Sequence, residues 1–260
     1  MRLLMIRPDG SLALTEDLNE DIPQYAILSH TWGHDSQEVT FKDILEGTGQ
    51  QKEGYRKIKL CRNRATSDGL QHFWVDTCCI DKTNNTELSE AISSMFRWYQ
   101  NATKCYVYLS DVSKSHAEHV NEPLRSTWRK EFRESRWLTR SWTLQELIAP
   151  SSVEFFEREG QRLGDKKSLE QLLHNTTKIS IGAFRGYPLS GFSVDERMLW
   201  SSGRDAKRPE DKAYSLLGIF DTHMPLIYGE GEEKALSRLR REIDQQSGVS
   251  RSSPSVPIAP

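Results

Sequence analysis

The sequence predicts an α/β fold: a parallel sheet flanked by helices, followed by a mainly helical C-terminal extension. Three observations lead there. Short apolar runs of strand length alternate with amphipathic helical runs through residue 157. Strands that alternate with helices are joined by right-handed crossovers, which makes the sheet parallel. After residue 158 the alternation weakens and helical spacing dominates. The expected division is an α/β core over 1–157, a helical extension packed on it over 158–245, and a disordered tail or linker over 246–260, where "SSPSVPIAP" is rich in serine and proline.

The first strand is "YAILSHTW" (Tyr25–Trp32), closed by a polar turn at Gly33. Tyr55–Leu70 has helical spacing at Ile58, Cys61 and Ala65, with Asp68-Gly69 as its stop. "FWVDTCCID" (Phe73–Asp81) is almost continuously apolar, the pattern of a strand buried on both faces. The next helix opens at Thr86 and repeats apolar residues at Leu88, Ile92, Met95, Phe96 and Tyr99. "KCYVYLSDV" (Lys104–Val112) reads as a strand, and Ser113 to about Glu131 as a polar insertion. "SRWLTRSWTLQELIAP" (Ser135–Pro150) reads as one helix that stops at Pro150, and "SVEFFE" (Ser152–Glu157) as the last strand. Further helices are expected over Lys166–Asn175, Asp195–Gly203, Arg208–Phe220 and in "GEGEEKALSRLRREI".

Composition excludes several function classes. With 260 residues, 36% hydrophobic, 28% charged and seven tryptophans, the chain has the means to fold around a core. A net charge of −2 provides no global field for nucleic acid or anionic membrane. The apolar start "MRLLMI" is ended by Pro8, Asp9 and Gly10 too early for a signal segment, and no run approaches the ~20 apolar residues that span a bilayer. A cytoplasmic location, with no nucleic-acid partner and no membrane segment, is therefore expected. The four cysteines read as reduced, buried small side chains. Adjacent Cys78 and Cys79, on opposite faces of a strand, suit neither zinc nor a mutual disulfide. No metal site and no bound cofactor are expected.

No GxSxG, HExxH, P-loop or GxGxxG pattern occurs. Ligands of parallel sheets bind beyond the carboxyl ends of the strands. Those ends are Ser29-His30-Thr31-Trp32, Asp81-Lys82 and Ser110-Asp111. His30 and His34 flank the first turn, as hydrogen-bonding groups or as ligand contacts. His116 and His119 lie in the polar insertion. Asp76, inside an apolar run, needs partners and reads as a structural carboxylate accepting backbone or tryptophan N–H groups. Asp81 and Asp111 either cap the next helices or meet a ligand. On a helical wheel Ser135, Thr139, Trp142 and Glu146 share one stripe at the edge of the apolar arc. Glu146 is then an edge carboxylate or one aimed into a pocket, and Trp142 a wall of the core or of the pocket.

"YAILSHTWG" (Tyr25–Gly33), "FWVDTCCID" and "SRWLTRSWTLQE" (Ser135–Glu146), in this order, resemble the three signature blocks of the fungal heterokaryon-incompatibility (HET) domain. Glu210–Ile243 also resembles the stretch C-terminal to that domain in fungal incompatibility proteins. The resemblance implies a fungal source, a role in non-self recognition ending in programmed cell death, and a TIR-like (flavodoxin-like) parallel sheet. Enzymatic TIR domains hydrolyse NAD at the nicotinamide–ribose bond with a glutamate in a Ser-x-Trp-Cys-x-x-Glu-Leu helix. "SWTLQEL" matches this at Trp142, Glu146 and Leu147, but Ser141 directly precedes the tryptophan and Thr143 replaces the cysteine. The resemblance thus implies Glu146 as the catalytic residue and NAD or a related nucleotide as substrate. Ser29, His30, Trp32, Asp81, Asp111 and Trp142 are the corresponding candidates for substrate binding. It also implies self-association, and as partners a C-terminal nucleotide-binding receptor region or another incompatibility protein. A non-catalytic death-signalling module and a glycosidase acting on another nucleoside or nucleotide remain the alternatives.

Overall fold

The computed structural model describes residues 1–114 and 124–251. His116, His119, the middle of the polar insertion and the tail from residue 252 lie outside the described residues. The strands are β1 (Leu4–Ile6), β2 (Leu12–Leu14), β3 (Tyr25–His30), β4 (His72–Trp74), β5 (Lys104–Leu109), β6 (Val153–Glu157) and β7 (Arg162–Asp165). They form one seven-stranded sheet in the order β2-β1-β4-β3-β5-β6-β7. The central strands β4, β3, β5 and β6 run parallel, and the edge strands β2, β1 and β7 pair antiparallel. The expectation of an all-parallel sheet is thereby corrected to a mixed one. The reason is connection length: a few residues join only antiparallel neighbours. Pro8-Asp9-Gly10, which reads in sequence as the end of an apolar run, is the turn of the β1–β2 hairpin, with Gly10 at φ 81°. Glu159-Gly160, with Gly160 at φ 89°, plays the same part between β6 and β7.

The helices are α1 (Phe41–Leu45), α2 (Tyr55–Ser67), α3 (Asn85–Asn101), α4 (Leu124–Glu134), α5 (Arg136–Thr139), α6 (Thr143–Ile148), α7 (Glu170–Thr177), α8 (Ile181–Phe184), α9 (Val194–Leu199), α10 (Asp211–Tyr214) and α11 (Glu232–Arg251). Every residue of β3 is buried, as are Cys105–Leu109 of β5, so both faces of the central sheet are covered. α2 buries Ile58, Cys61 and Ala65, and α3 buries Ala91, Ile92, Met95 and Tyr99. The Asn84 side chain caps α3 by accepting the N–H groups of Thr86 and Glu87. Among the described residues no helix is long and apolar enough to cross a membrane.

Several expectations change. The strand expected over Phe73–Asp81 ends at Trp74, because the chain turns where Cys78 and Cys79 donate their N–H groups to the Val75 carbonyl. Asp76 leaves the sheet at this turn to accept a hydrogen bond from the Trp32 indole. Cys78 and Cys79 therefore do not alternate across a strand. All four cysteines are free and buried. The polar insertion contains α4, whose Phe132 is buried edge-on against Phe155, with ring centres 5.5 Å apart. The helix expected over Arg208–Phe220 is confined to α10, after which the chain turns tightly enough to bring Gly218 against Phe96. α11 runs on to Arg251, past the expected start of the tail at residue 246.

The segment Ser135–Pro150 is two short helices rather than one. Arg140 adopts an extended conformation and bridges to Asp205, while Ser141 N–H donates to the Asp205 carbonyl at 2.8 Å. Freed helix carbonyls are taken by side chains instead: Thr143 Oγ1 donates to the carbonyls of Trp137 and Arg140, and buried Arg204 donates to the Arg140 carbonyl at 2.9 Å. Threonine and serine hydroxyls compete with the helix for backbone partners, and here they win because residues 204–205 add two more. Buried Lys166 holds the far end of α6 through the carbonyls of Leu147 and Pro150. That places a cation at a helix C-terminus.

A β-carbon added to Gly218 would lie 2.1 Å from Phe96 Cβ, whereas one at Gly191 meets nothing within 4 Å. Gly218→Ala is expected to cost about 1–3 kcal/mol in urea unfolding, the usual range for overpacking. Gly191→Ala should stay within about 0.5 kcal/mol of the parent. Equal midpoints for both variants would contradict this packing.

Candidate functional site

The break between α5 and α6 sets the direction of Glu146. Its side chain is 7% exposed and reaches beneath the carboxyl end of β3. Ser29, buried in that strand, donates its hydroxyl proton to Glu146 Oε2. The same hydroxyl oxygen accepts the Trp137 indole N–H at 2.8 Å. One acceptor and one donor engage the serine on both sides, so its proton is fixed toward the carboxyl. Tyr99 Oη, within hydrogen-bonding reach of Glu146, donates to the Leu28 carbonyl at 3.0 Å. Burial raises the Glu146 pKa to about 8, against the opposing pull of the Ser29 hydrogen bond. Nearby Asp76 pushes in the same direction as burial, and Arg140 against it.

Glu146 opens into a cavity of about 260 Å³ at the carboxyl ends of β3 and β4. It therefore lies beyond the carboxyl ends of parallel strands, the usual place for a ligand. One wall is aromatic and cationic. The Trp32 ring carries Lys82 Nζ 3.7 Å from its centre, Arg140 Cζ at 5.5 Å and Lys207 Nζ at 5.9 Å. Its indole N–H donates to Asp76 Oδ2 at 2.8 Å. Asp76 is held down at about 2: burial alone would raise it, but Lys82, His30, Lys57 and the indole together outweigh burial. His30 Nε2 lies 3.5 Å from Asp76 Oδ1. Burial, and then the charge of Lys57, keep the imidazole well below its ordinary pKa. The opposite wall comes from the C-terminal extension. Asp211 accepts from Tyr228 Oη at 2.9 Å and from the Trp142 indole, and Arg208 stacks on the Tyr228 ring at 4.1 Å. Burial raises the Asp211 pKa. The floor is apolar, formed by Ile80, Ile92 and Met95.

The residues singled out in sequence separate into three groups. Glu146, His30, Trp32 and Trp142 line this cavity, and Ser29 sits directly behind Glu146. Asp81 lies beside it, in a neighbouring hollow, where it accepts from Thr83 N and Oγ1. Asp111 lies elsewhere, accepting from Ser135 Oγ at 2.7 Å and Arg136 N at 2.8 Å at the start of α5. Glu146, Trp142 and Thr139 do not share one helical stripe, because the helix that would carry it is broken. Sequence pattern does not single out Trp137, Tyr99, Arg140 or the wall from Lys207 to Tyr228. Tyr99 has a signal, as the polar-tipped member of an apolar stripe. The wall has none, since it is brought in from more distant sequence.

Glu146 has a pKa near 4.5 when exposed and about 8 when folded. The folded chain therefore keeps a proton that the unfolded chain releases. That contribution to stability is complete below about pH 4.5 and is lost as pH rises through about 8. Glu146→Gln, which has no proton to lose, should gain on the parent by up to about 1.4 kcal/mol per pH unit across this window. Urea unfolding from pH 5 to 9 measures the difference, and parallel curves would contradict it.

Comparison with known proteins agrees with the motifs. The profile of the family described as heterokaryon incompatibility protein (HET) matches residues 25–127, which begin at β3. The vegetative incompatibility protein HET-E-1 of Podospora anserina is 56% identical over 249 residues, 95% of this chain. The chain spans 18% of the length of that relative. No solved structure matches. Residues 25–127 of the chain are thus identified as a heterokaryon incompatibility (HET) domain, and nearly all of the chain is similar to part of an incompatibility protein.

Proposed function

We propose that the chain is the effector part of a heterokaryon-incompatibility system, acting in the cytoplasm and causing cell death by hydrolysing NAD at the nicotinamide–ribose bond. The observation that carries the reading is the buried Glu146 carboxyl, opening into a cavity with an aromatic, cation-rich rim. The parallel strands β3, β4, β5 and β6 stand in the spatial order 2-1-3-4 when numbered along the chain. This is the start of the flavodoxin-like order and supports the TIR-like reading of the fold.

The chemistry rests on charge. The nicotinamide ring of NAD is a cation, and a cation beside Glu146 favours the carboxylate over the protonated form. Binding thus lowers the pKa that burial had raised, and creates the charge the reaction needs. As the glycosidic bond breaks, its electron pair goes to the ring nitrogen and nicotinamide leaves neutral. Positive charge grows on the ribose, where the carboxylate stabilises it. Water then attacks the anomeric carbon and loses a proton. Trp32 and Trp142 offer aromatic faces for the nicotinamide. Lys82, Lys207 and Arg208 suit the pyrophosphate. Self-association would act as the trigger by ordering these residues.

Purified protein, alone and concentrated by fusion to an oligomerising domain, should release nicotinamide from NAD. Glu146→Gln should lower kcat at least about a hundredfold, as expected for loss of the group that stabilises transition-state charge. Because only the carboxylate is competent, kcat/KM should rise with pH and level off above about 8, while kcat titrates at lower pH. Inert wild type in both states would favour a non-catalytic signalling module. Equal turnover by wild type and Glu146→Gln would remove Glu146 from the reaction.

A further inference from the structure

A second hollow, of about 590 Å³, adjoins the Glu146 cavity and shares with it Trp32, Ile80, Lys82 and Lys207. Its far side is α1, where Phe41 and Leu45 stand four residues apart and so face the same way. Leu45 is 65% exposed, large and apolar, with no packing role that would account for it. Phe41 is half-buried, and one face of its ring is covered by the Arg2 guanidinium at 4.9 Å. α1 is held in place independently of the hollow. Thr40 and Asp43 form a reciprocal cap at its start, and Lys52 ties Asp43 at 2.7 Å. The two hollows are thus separated by one indole, with ammonium groups on that shared wall.

We propose that the two hollows form one bipartite site for a dinucleotide, with Trp32 as the partition. The Glu146 cavity takes the nicotinamide riboside, Lys82 and Lys207 take the pyrophosphate as it crosses the Trp32 edge, and the hollow between α1 and Ile80 takes the adenosine. This rests on the reading of NAD as substrate given above. Charge supports the crossing point. Among the described residues Lys207 pairs with the exposed Asp35, and Lys82 with Asp76 at 3.7 Å, so both retain donors for phosphate oxygens. Shape supports the occupant. The second hollow is mainly apolar and open, with an aromatic ring and a leucine side chain, which suits a flat base better than a charged group.

The expected consequence is a preference for the complete dinucleotide over its nicotinamide mononucleotide half. Leu45→Glu changes an exposed position that folding does not need, and Phe41→Ala removes the ring. Each should lower the ratio of kcat/KM for NAD over nicotinamide mononucleotide by about fivefold or more, the scale of one lost base contact. The loss should appear in KM for NAD rather than in kcat. Lys207→Ala should raise KM for NAD and also weaken binding of ADP-ribose measured by calorimetry. A wild type that cleaves both substrates equally, or variants that leave the ratio where it was, would overturn the bipartite site while NAD cleavage stood. ADP-ribose binding that is weakened by Leu45→Glu in a protein without turnover would support the site and overturn the cleavage. Absence of both turnover and ADP-ribose binding would overturn the two together.

Discussion

The structure turns on one buried carboxyl. Glu146 is removed from water at the carboxyl end of β3 and held there by a hydroxyl that is itself held by an indole, in the sequence Trp137, Ser29, Glu146. A buried carboxyl with few partners keeps its proton, and its pKa moves to about 8. Such a group is costly to fold around, and it becomes charged when something positive arrives. A carboxyl that is neutral when the cavity is empty and anionic when a cation occupies it discriminates by charge without leaving an uncompensated carboxylate buried.

Apart from Trp137, the groups that hold Glu146 in that position come from segments far apart in sequence. β3 supplies Ser29, and α3 supplies Tyr99. The extension reaches back through Arg204 and Asp205 to open the helix between Arg140 and Trp142. Without this opening, residues 135–150 would continue as one rod and Trp142 and Glu146 would stay on its edge. The extension then closes the cavity with Asp211 and Tyr228. The site is therefore built jointly by the sheet and by the C-terminal extension.

The central elements are legible in the sequence because both faces of the inner strands are buried and the helices bury one stripe. Those constraints leave apolar runs and 3.6-residue periods that can be read directly, as in Tyr25–His30 and Asn85–Asn101. The edges are not. β1, β2 and β7 are three or four residues long, too short for a period to emerge. The end of β4 at Trp74 is hidden because Val75, Cys78, Cys79 and Ile80 are buried in a turn as thoroughly as they would be in a strand. The helix break is hidden too, since its cause, Arg204 and Asp205, lies some sixty residues downstream. Of the candidate site, the strand-end rule finds His30 and Trp32, and the HET and TIR resemblance singles out Glu146. The same rule also selects Asp111, which has a helix start to cap instead. Of the cations on Trp32 the same rule reaches Lys82, but Arg140 and Lys207 are not legible, because isolated lysines and arginines in sequence look like any solvated surface.

The central claim is that Glu146 is a protonated, cavity-facing carboxyl that ionises for a cationic ligand. The most direct measurement is a carbon-13 NMR titration of the glutamate side-chain carboxyls, with the resonance assigned by its loss in Glu146→Gln. The expected midpoint is about 8 in the free protein, moving to lower pH when 1-methylnicotinamide, a positively charged mimic of the substrate's reacting ring, is added. A midpoint near the ordinary 4.5, or one that does not move when the cation is present at saturation, would contradict it.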